Sequence, residues 1–243
     1  MKIVICNKTG NVGKTTLAKN LFVQHLPGAK RIQIERSNSG DGKADAEVEI
    51  NRIKQMAVEL TATFDDEHYV VDLGSSSWPD VFPQLGELTT FCKSVDAWVV
   101  PCSTNVKQVD AIQTVRDLIS IGIEPAKIFL LPNKVQNVVN YKEDFEQIYS
   151  LRELGVKVAN QAVLASDLYN MTKDRNESAG ELAVSRPAGL KEQFAEAKAR
   201  KDRATMVEIA KIETMYDMSV SAAKNLESVF ADFVDQLGLT VEA

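Results

Sequence analysis

A run of residues near the start of the chain combines glycine, lysine and threonine in the order that phosphate binding needs. It reads Cys-Asn-Lys-Thr-Gly-Asn-Val-Gly-Lys-Thr-Thr over residues 6–16 and follows an apolar segment at residues 3–5. A loop of this kind turns its backbone N–H groups toward phosphate oxygens, and the helix after it adds the positive end of its dipole. In such a loop Lys14 would reach the β- and γ-phosphates, and the Thr15 hydroxyl would ligate Mg²⁺. A strict G-x-x-x-x-G-K-[ST] search misses this loop, because Lys8 stands where the first glycine usually lies.

The surroundings of the loop favour nucleotide binding over a chance surface turn. Gly-Lys-Thr alone is a weak signal, but here an apolar segment precedes it, and Leu17, Leu21 and Phe22 follow at helical spacing. Strand, loop and helix in this order are the context that the motif requires. The predicted nucleotide contacts in the loop are Thr9, Gly10, Asn11, Val12, Gly13, Lys14, Thr15 and Thr16.

A carboxylate at the end of another apolar run could complete a magnesium site. Asp72 closes the segment Tyr-Val-Val-Asp at residues 69–72, which has the composition of a buried strand. Because Mg²⁺ sites of this kind use one or two carboxylates, Asp72 is predicted to bind the metal together with Thr15. The alternative is a simple strand-end cap. Gly74 and the three serines after it form either a loop that senses the γ-phosphate or a plain turn.

Two more strand ends carry side chains that could act on a nucleotide. Glu35 ends a predicted strand, and ligands of open α/β sheets lie at the carboxyl ends of strands. It could hold or polarise water near the γ-phosphate, or it could be a solvated charge, as we read its neighbour Arg36. Asn133 follows another apolar run, and its amide could read the N6/N7 edge of adenine or form a turn. The predicted catalytic residues are Lys14, Asp72 and Glu35.

The composition is that of an ordinary soluble globular protein. Of 243 residues, 44% are hydrophobic and 26% are charged. The net charge of −6 argues against a surface coated with basic residues for nucleic acid, although a local patch would fit within that total. Three widely spaced cysteines and two isolated histidines form no metal-binding pattern, so we expect reduced, buried thiols. No signal peptide or membrane-length apolar run is present in the sequence, which indicates a cytoplasmic protein without an integral membrane segment.

Apolar runs alternate with helical patterns along most of the chain. This alternation predicts an α/β fold with a doubly wound, mostly parallel sheet. The predicted strands after the first lie at residues 32–34, 69–73, 97–101, 127–132 and 156–159. The predicted helical stretches between them lie at residues 45–63, 106–121 and 141–154.

The last part of the chain is predicted to be helical. Residues 175–180 read as a loop, and residues 188–237 are almost continuously helix-forming, with a break near Ser219. An apolar stripe there is suited to packing on the sheet, and it consists of Leu226, Phe230, Phe233 and Leu237. Since no Pro- or Gly-rich linker interrupts the chain, we expect a single domain over residues 1–243, with residues 188–243 its mainly helical part.

Basic residues in this helical region alternate with acidic ones. The pattern favours a solvated face with ion pairs over a DNA-contacting helix, because no aromatic residues are interleaved. The basic residues are Lys191, Lys198, Arg200, Lys201, Arg203 and Lys211, and the acidic ones are Glu192, Glu196, Asp202 and Glu208. Direct DNA binding is therefore not indicated by charge.

With these residues in place, the chain resembles the ParA/MinD (SIMIBI) type of P-loop NTPases, and most closely the StbB branch related to MobD and TraL proteins. The resemblance covers essentially the full length. Its specific parts are the Gly-Asn-Val-Gly-Lys-Thr-Thr loop, the Val-Asp-Leu-Gly segment at residues 71–74 and the Leu-Pro-Asn-Lys segment at residues 131–134. It implies binding of ATP and Mg²⁺, a nucleotide-dependent homodimer, and a role in plasmid stabilisation, segregation or conjugative transfer. The implied partners are a plasmid DNA-binding adaptor or conjugation (relaxase) proteins.

The chain departs from the family pattern at positions linked to hydrolysis. The family carries a lysine in K-G-G-x-G-K-[ST] that reaches the partner's nucleotide, and the aligned residue here is Thr9, with Lys8 one place earlier. Asn11 replaces the second glycine. The family's D-x-D-P reads Glu-Arg-Ser-Asn at residues 35–38, so the aspartate that orients the attacking water falls on Ser37. Nucleotide binding carries over better than hydrolysis or dimerisation through that lysine.

Three functions fit these residues. The first is a ParA-like ATP switch with slow hydrolysis, because phosphoryl transfer depends on positioning groups that are partly missing here. The second is a nucleotide-binding scaffold for a partition or relaxase complex that has lost catalysis. The third is an ATP-dependent small-molecule kinase or ligase, for which the sequence offers no convincing additional acid or base.

Overall fold

The computed structural model describes residues 1–35, 44–104, 107–136, 138–173 and 175–241. Its strands are β1 (Lys2–Ile5), β2 (Lys30–Glu35), β3 (Ala46–Glu49), β4 (Tyr69–Leu73), β5 (Ala97–Cys102), β6 (Ile128–Val135), β7 (Lys157–Val158) and β8 (Val163–Leu164). Its α-helices are α1 (Lys14–Leu17), α2 (Ile53–Thr61), α3 (Trp78–Glu87), α4 (Thr89–Ser94), α5 (Lys107–Ser120), α6 (Tyr141–Asp144), α7 (Glu146–Tyr149), α8 (Leu168–Met171), α9 (Ala179–Val184), α10 (Leu190–Ala199) and α11 (Arg203–Leu237). A π-helix (Ala18–Val23) continues α1, and short 3₁₀ turns lie at Ile50–Arg52, Ser75–Ser77, Pro125–Lys127 and Ser150–Leu154.

The strands form one parallel sheet in the order β3-β2-β4-β1-β5-β6-β7, with β8 also pairing with β6. The central strands are almost fully buried, as expected of a parallel sheet with both faces covered. The predicted doubly wound α/β fold is confirmed. Since all strands run in the same direction, their carboxyl ends share one edge of the sheet, which we call the carboxyl edge.

Side chains alternate along each strand and so build two apolar layers. Residues such as Val4, Val71 and Trp98 face a core shared with α2, α3, α4 and α5. On the other face, the ring of Phe233 lies edge-on to Phe129 and Phe22, with centroids 5.2 and 5.1 Å apart. This confirms that Phe230 and Phe233, which also contact one another, belong to a stripe that packs on the sheet.

Some element boundaries differ from the sequence prediction. Residues 46–49 form the edge strand β3 and not part of a helix, because Ala-Glu-Val-Glu alternates and pairs with β2. The helical stretch at residues 141–154 is broken into α6, α7 and a 3₁₀ turn. The predicted break near Ser219 is wrong: this residue is buried within α11, its hydroxyl donates to the Tyr216 carbonyl, and the break lies at residues 200–202.

The chain divides into two compact units. One comprises Met1–Ala165 and Glu227–Ala243, and the other comprises Ser166–Leu226. The first contains the whole sheet and the predicted nucleotide residues, and α11 supplies residues to both. A single domain over the full chain stays a prediction. Among the described residues, no helix combines the length and the apolar character that crossing a bilayer would require.

Candidate nucleotide-binding site

The predicted loop starts beside the predicted metal carboxylate. Strands β1 and β4 are neighbours, and Ile5 pairs in register with Asp72. The chain then leaves the sheet at Cys6, whose N–H donates to the Val99 carbonyl at 3.0 Å, and turns into the loop. Because β2 and β6 end at the same carboxyl edge, Glu35 and Asn133 are brought to this edge as well. The fold therefore gathers the predicted site residues that the structure describes.

The loop has a backbone conformation that favours glycine at one position. Gly13 has φ +85° and precedes the first turn of α1, where the Leu17 N–H donates to the Gly13 carbonyl at 2.9 Å. A Cβ atom at Gly13 would overlap the amide nitrogen of Asn133. Asn11, at the tip of the loop, is also left-handed, with φ +58°. The tip is thus tightly curved, with no room for a side chain at Gly13.

The side chain of Lys14 turns back into the phosphate-binding loop. Its Nζ donates to the carbonyls of Asn7 and Thr9, at 3.2 and 3.1 Å, and the residue is 7% exposed. Burial lowers the pKa of this lysine, while the negative potential of Asp72 opposes that shift. A cation is therefore held in the centre of the loop by two neutral carbonyls, which compete weakly with a phosphate oxygen for its hydrogens.

Thr15 and Asp72 face each other across the site. The Thr15 hydroxyl is close enough to the Asp72 carboxyl group to lower its pKa, and Asp72 is 2% exposed. Burial raises the pKa of Asp72, against the opposing effects of Thr15, Lys14 and Arg31. Its Oδ2 atom is buried and has no hydrogen-bond partner within the described ranges. An orphaned carboxylate oxygen beside a hydroxyl oxygen is a hard donor pair that fits Mg²⁺.

The small number of protein ligands also suits magnesium. In the ranges that the structure describes, no group of three or more His, Cys, Asp or Glu side chains could hold a metal ion. Mg²⁺ retains several waters and binds through one or two carboxylates plus substrate phosphates. The donor set of Thr15 and Asp72 matches that habit, whereas a Zn²⁺ or Ca²⁺ site would need more protein ligands.

Glu35 lies over the turn that follows β4. Its Oε2 accepts a hydrogen bond from the Ser76 hydroxyl at 3.0 Å, and its carboxylate occupies the space that a Cβ on Gly74 would need. The same turn reaches the loop, because a Cβ on Gly10 would meet the Ser75 hydroxyl at 3.3 Å. The serine turn therefore connects Glu35 to the phosphate-binding loop. Arg36 and Ser37 lie outside the described residues.

Asn133 contacts the loop directly. Its Nδ2 donates to the Val12 carbonyl at 2.7 Å, and its Oδ1 accepts the Lys134 N–H at 2.9 Å. The residue is 4% exposed. Adenine reading by this amide stays a prediction, and the second N–H of Nδ2 and the second lone pair of Oδ1 are the groups left for a base contact.

Several loop contacts were not predicted from the sequence. Asn7 is fully buried, donates to the Pro101 carbonyl at 2.9 Å and accepts the Thr9 N–H at 2.8 Å. Asp110 on α5 accepts the Thr9 hydroxyl and lies 3.7 Å from the Lys8 ammonium. Neither residue stands in a recognisable motif. For Asn7 the only available signal was its place directly after a buried strand.

The cysteines are buried as predicted, and the charged C-terminal region contains ion pairs. Cys6, Cys92 and Cys102 are free and buried, and burial raises the pKa of Cys6 to about 12.

In the second unit, ion pairs join Arg186 to Glu213 and Asp217, Arg200 to Glu196, and Lys211 to Glu208. These pairs support a solvated face with ion pairs over a DNA-contacting helix.

Comparison with known proteins identifies the fold. No protein-family model and no curated protein sequence matches the chain. Among solved structures, the ATP complex of a singly substituted McdA from Cyanothece is similar, with a TM-score of 0.53 and 16% identity over 100% of this chain and 98% of that chain. Apo McdA is similar with a TM-score of 0.53 and 15% identity, over 91% of this chain and 98% of that chain. For the MinD cell division protein of Aquifex aeolicus the TM-score is 0.48 and the identity is 14%, over 93% of this chain and 96% of that chain.

The chain has the fold of McdA. The match spans nearly all of both chains, including the parallel sheet and the helical C-terminal region. At this level of identity the likeness establishes the architecture, and function has to be argued from the site itself.

Proposed function

We propose that this protein is an ATP-binding switch of the ParA/MinD type that hydrolyses ATP slowly with Mg²⁺. One observation carries the proposal: Lys14 lies within the loop while Thr15 faces the buried Asp72, whose Oδ2 has no partner among the described residues. A buried carboxylate with spare capacity is costly unless a ligand uses it. Mg-ATP supplies the cation for this carboxylate and the phosphates for the lysine.

The residues would divide the work of hydrolysis as follows. Lys14 would move from the Asn7 and Thr9 carbonyls to β- and γ-phosphate oxygens, where its charge offsets the negative charge that develops. Thr15 and Asp72 would hold Mg²⁺, which when bound neutralises charge on the β- and γ-phosphates. Water attacks the γ-phosphorus, the bond from that phosphorus to the bridging oxygen of ADP breaks, and the water proton passes to solvent or to phosphate.

Slow turnover follows from what surrounds the reacting water. Glu35 is the carboxylate that we propose orients it, and its Oε2 also accepts the Ser76 hydroxyl. Thr9 stands at the position of the family's lysine. Its hydroxyl donates a hydrogen bond to Asp110 and carries no positive charge to offset the negative charge of the transition state. With few groups preorganised for the transition state, the barrier stays high until a partner supplies or moves one.

The biological setting is proposed from the sequence resemblance and the fold. The residues of the loop and of the strand ends resemble StbB-type proteins, and McdA, whose fold this chain shares, was solved with ATP bound. We infer a role in plasmid stabilisation, segregation or positioning, or in conjugative transfer. The partners would be a second copy of the chain and a plasmid DNA-binding adaptor or relaxase protein.

A scaffold without catalysis is the second candidate, and two contacts of Asp110 favour it. Lys8 and Thr9 are both held by Asp110 of the same chain. Thr9 aligns with the family's intermolecular lysine and Lys8 is the cation next to it, so the pairing of Lys8 with Asp110 would keep that cation from a partner's nucleotide.

Phosphate release from Mg-ATP tests the proposal. The wild type is compared with Lys14→Ala and with Lys127→Ala, a control in which the lost ammonium also donates to two backbone carbonyls. We expect slow release by the wild type and Lys127→Ala, and none by Lys14→Ala. Equal release by all three would contradict the ATPase, and binding without release by the wild type would favour the scaffold.

A further inference from the structure

We propose that Lys107 and Lys134 act together as positioning residues that hold the tip of the phosphate-binding loop in its binding conformation. We call this pair the lysine brace. The proposal rests on the proposed function in so far as the loop binds phosphate. The brace itself is a property of the chain without ligand, and it is tested separately below.

Both ammonium groups converge on one backbone oxygen. The Nζ of Lys134 donates to the Asn11 carbonyl at 2.9 Å, and the Nζ of Lys107 donates to the same carbonyl at 3.3 Å. The two lysines come from different parts of the sheet edge, since Lys134 lies near the end of β6 and Lys107 begins α5. The loop tip is thus joined to two elements far away in sequence.

The brace connects two residues whose backbone conformations are unfavourable for residues other than glycine. Asn11 and Lys134 both have positive φ, at +58° and +60°, a region in which residues other than glycine are uncommon and costly. Such conformations persist only when surrounding contacts hold them. The Lys134 ammonium bond to the Asn11 carbonyl links these two strained residues directly.

Holding the carbonyls from outside also orients the adjacent N–H groups. In a trans peptide the C=O of one residue and the N–H of the next point in opposite directions. The brace holds the Asn11 carbonyl, and Asn133 holds the Val12 carbonyl at 2.7 Å. The N–H groups of Val12 and Gly13 therefore point away from these donors, which is the arrangement that a phosphate-binding loop needs.

The brace also leaves positive charge uncancelled beside the loop. Within the described ranges, no carboxylate lies within 4.0 Å of either ammonium, whereas nearby Lys8 lies 3.7 Å from Asp110. A neutral carbonyl does not cancel two charges. Burial lowers the pKa of Lys134, and the nearby charge of Lys107 lowers it further. A polyphosphate would gain from this potential whatever base it carries.

The test compares variants at both lysines with ATP, GTP and inorganic triphosphate, each titrated calorimetrically with Mg²⁺. The variants are Lys107→Met, Lys134→Met, the double variant, Lys134→Arg as a conservative rescue, and Lys127→Met as a matched control. We expect the double variant to lose about tenfold in affinity for all three ligands, as charged hydrogen bonds are lost. Lys134→Arg should restore most of the loss of Lys134→Met, and Lys127→Met should bind like the wild type.

Amide hydrogen exchange without ligand separates the brace from the proposed function. Faster exchange at residues 11–13 in the double variant than in the wild type supports the brace, even if the wild type binds no triphosphate and the proposed function falls. Unchanged exchange in the double variant would overturn the brace whatever the affinities, since lost affinity with unchanged exchange would make the two lysines direct phosphate contacts. So would a loss confined to ATP, since that result would make these lysines base contacts.

Discussion

Lys127 and Asp96, before the amino ends of the strands, are held differently from Asp72 at the carboxyl edge. The amino ends of the parallel strands share the opposite edge of the sheet, which we call the amino edge. There, Lys127 donates to the Lys93 and Val95 carbonyls at 2.7 and 2.9 Å, and Asp96 accepts the Lys2 N–H at 2.7 Å. At the carboxyl edge, Asp72 is buried with an oxygen that has no partner in the described part of the chain. Buried polar groups are normally satisfied. The indole N–H of Trp98, near the start of β5, is also buried without a partner in the described residues, so what distinguishes Asp72 is that its unsatisfied atom is a carboxylate oxygen next to the phosphate-binding loop.

The largest effect should come from removing the glycine on which the loop tip depends. In Gly13→Ala, the new Cβ would overlap Asn133 and the residue would have to keep φ +85°. We expect ATP affinity to fall by about a hundredfold, the scale on which a displacement of about 1 Å acts in a preorganised site. Calorimetric titration with Mg-ATP measures the loss.

Gly28→Ala is the matched control for this change. Gly28 also has a positive φ, at +70°, but a Cβ there would meet nothing within 4 Å. Both variants should lose about 1 kcal/mol of unfolding free energy from backbone strain. Gly13→Ala should lose more because of its overlap with Asn133, and only this variant should lose ATP binding. Normal ATP binding by Gly13→Ala would mean that the loop tip is not part of the site.

A smaller effect is expected when the carboxylate is neutralised. Asp72→Asn keeps the shape of the side chain and removes its charge, so the affinity for ATP should fall about tenfold and lose most of its dependence on Mg²⁺. Asp96→Asn, at the amino edge, is the control and should leave both unchanged. Retained Mg²⁺ dependence in Asp72→Asn would remove this residue from the metal site.

The same variant should change how stability depends on pH. Burial raises the folded-state pKa of Asp72 above the ordinary value of 3.8, so the folded state binds the proton more tightly than the unfolded state does. The wild type should therefore lose stability relative to Asp72→Asn as pH rises from below 3.8 through the raised pKa. Urea unfolding across this pH range measures the difference in unfolding free energy between the wild type and Asp72→Asn. A difference that stays constant with pH would contradict a raised pKa of Asp72.

The smallest effect concerns the choice of base. If Asn133 reads adenine, Asn133→Ala should narrow the preference for ATP over GTP by several-fold, since a bidentate base contact discriminates by about 1–3 kcal/mol. If it serves the loop alone, through the Val12 carbonyl, both affinities should fall together. Discrimination that stays unchanged would exclude the base-reading role.

The sequence was most informative where a local pattern fixes a local structure. The loop of residues 6–16 and the strand ending at Asp72 could be predicted, because each is a contiguous run with a characteristic order of residue types. Their neighbourhood followed from one rule, that parallel strands share a carboxyl edge. The fold class could be predicted for the same reason.

The contacts that support the loop could not be predicted in this way. Asp110 contacts Thr9 from 101 positions away and Lys134 contacts Asn11 from 123 positions away, and no local pattern of residues indicates which distant side chains will meet the loop. The strand β3 was missed because four residues at a sheet edge carry too little pattern against a helical stretch that overlaps them. Such features depend on tertiary packing, which overrides local preference.

One titration decides whether Lys14, Thr15 and Asp72 form a Mg-ATP site, on which the proposed function depends. ATP is titrated calorimetrically into the wild type with Mg²⁺ and with EDTA, and into Lys14→Ala with Mg²⁺, with Lys127→Ala as the control. We expect saturable binding by the wild type and Lys127→Ala that weakens markedly in EDTA and is lost in Lys14→Ala. Binding of equal strength in Lys14→Ala, or no binding by the wild type, would contradict the site.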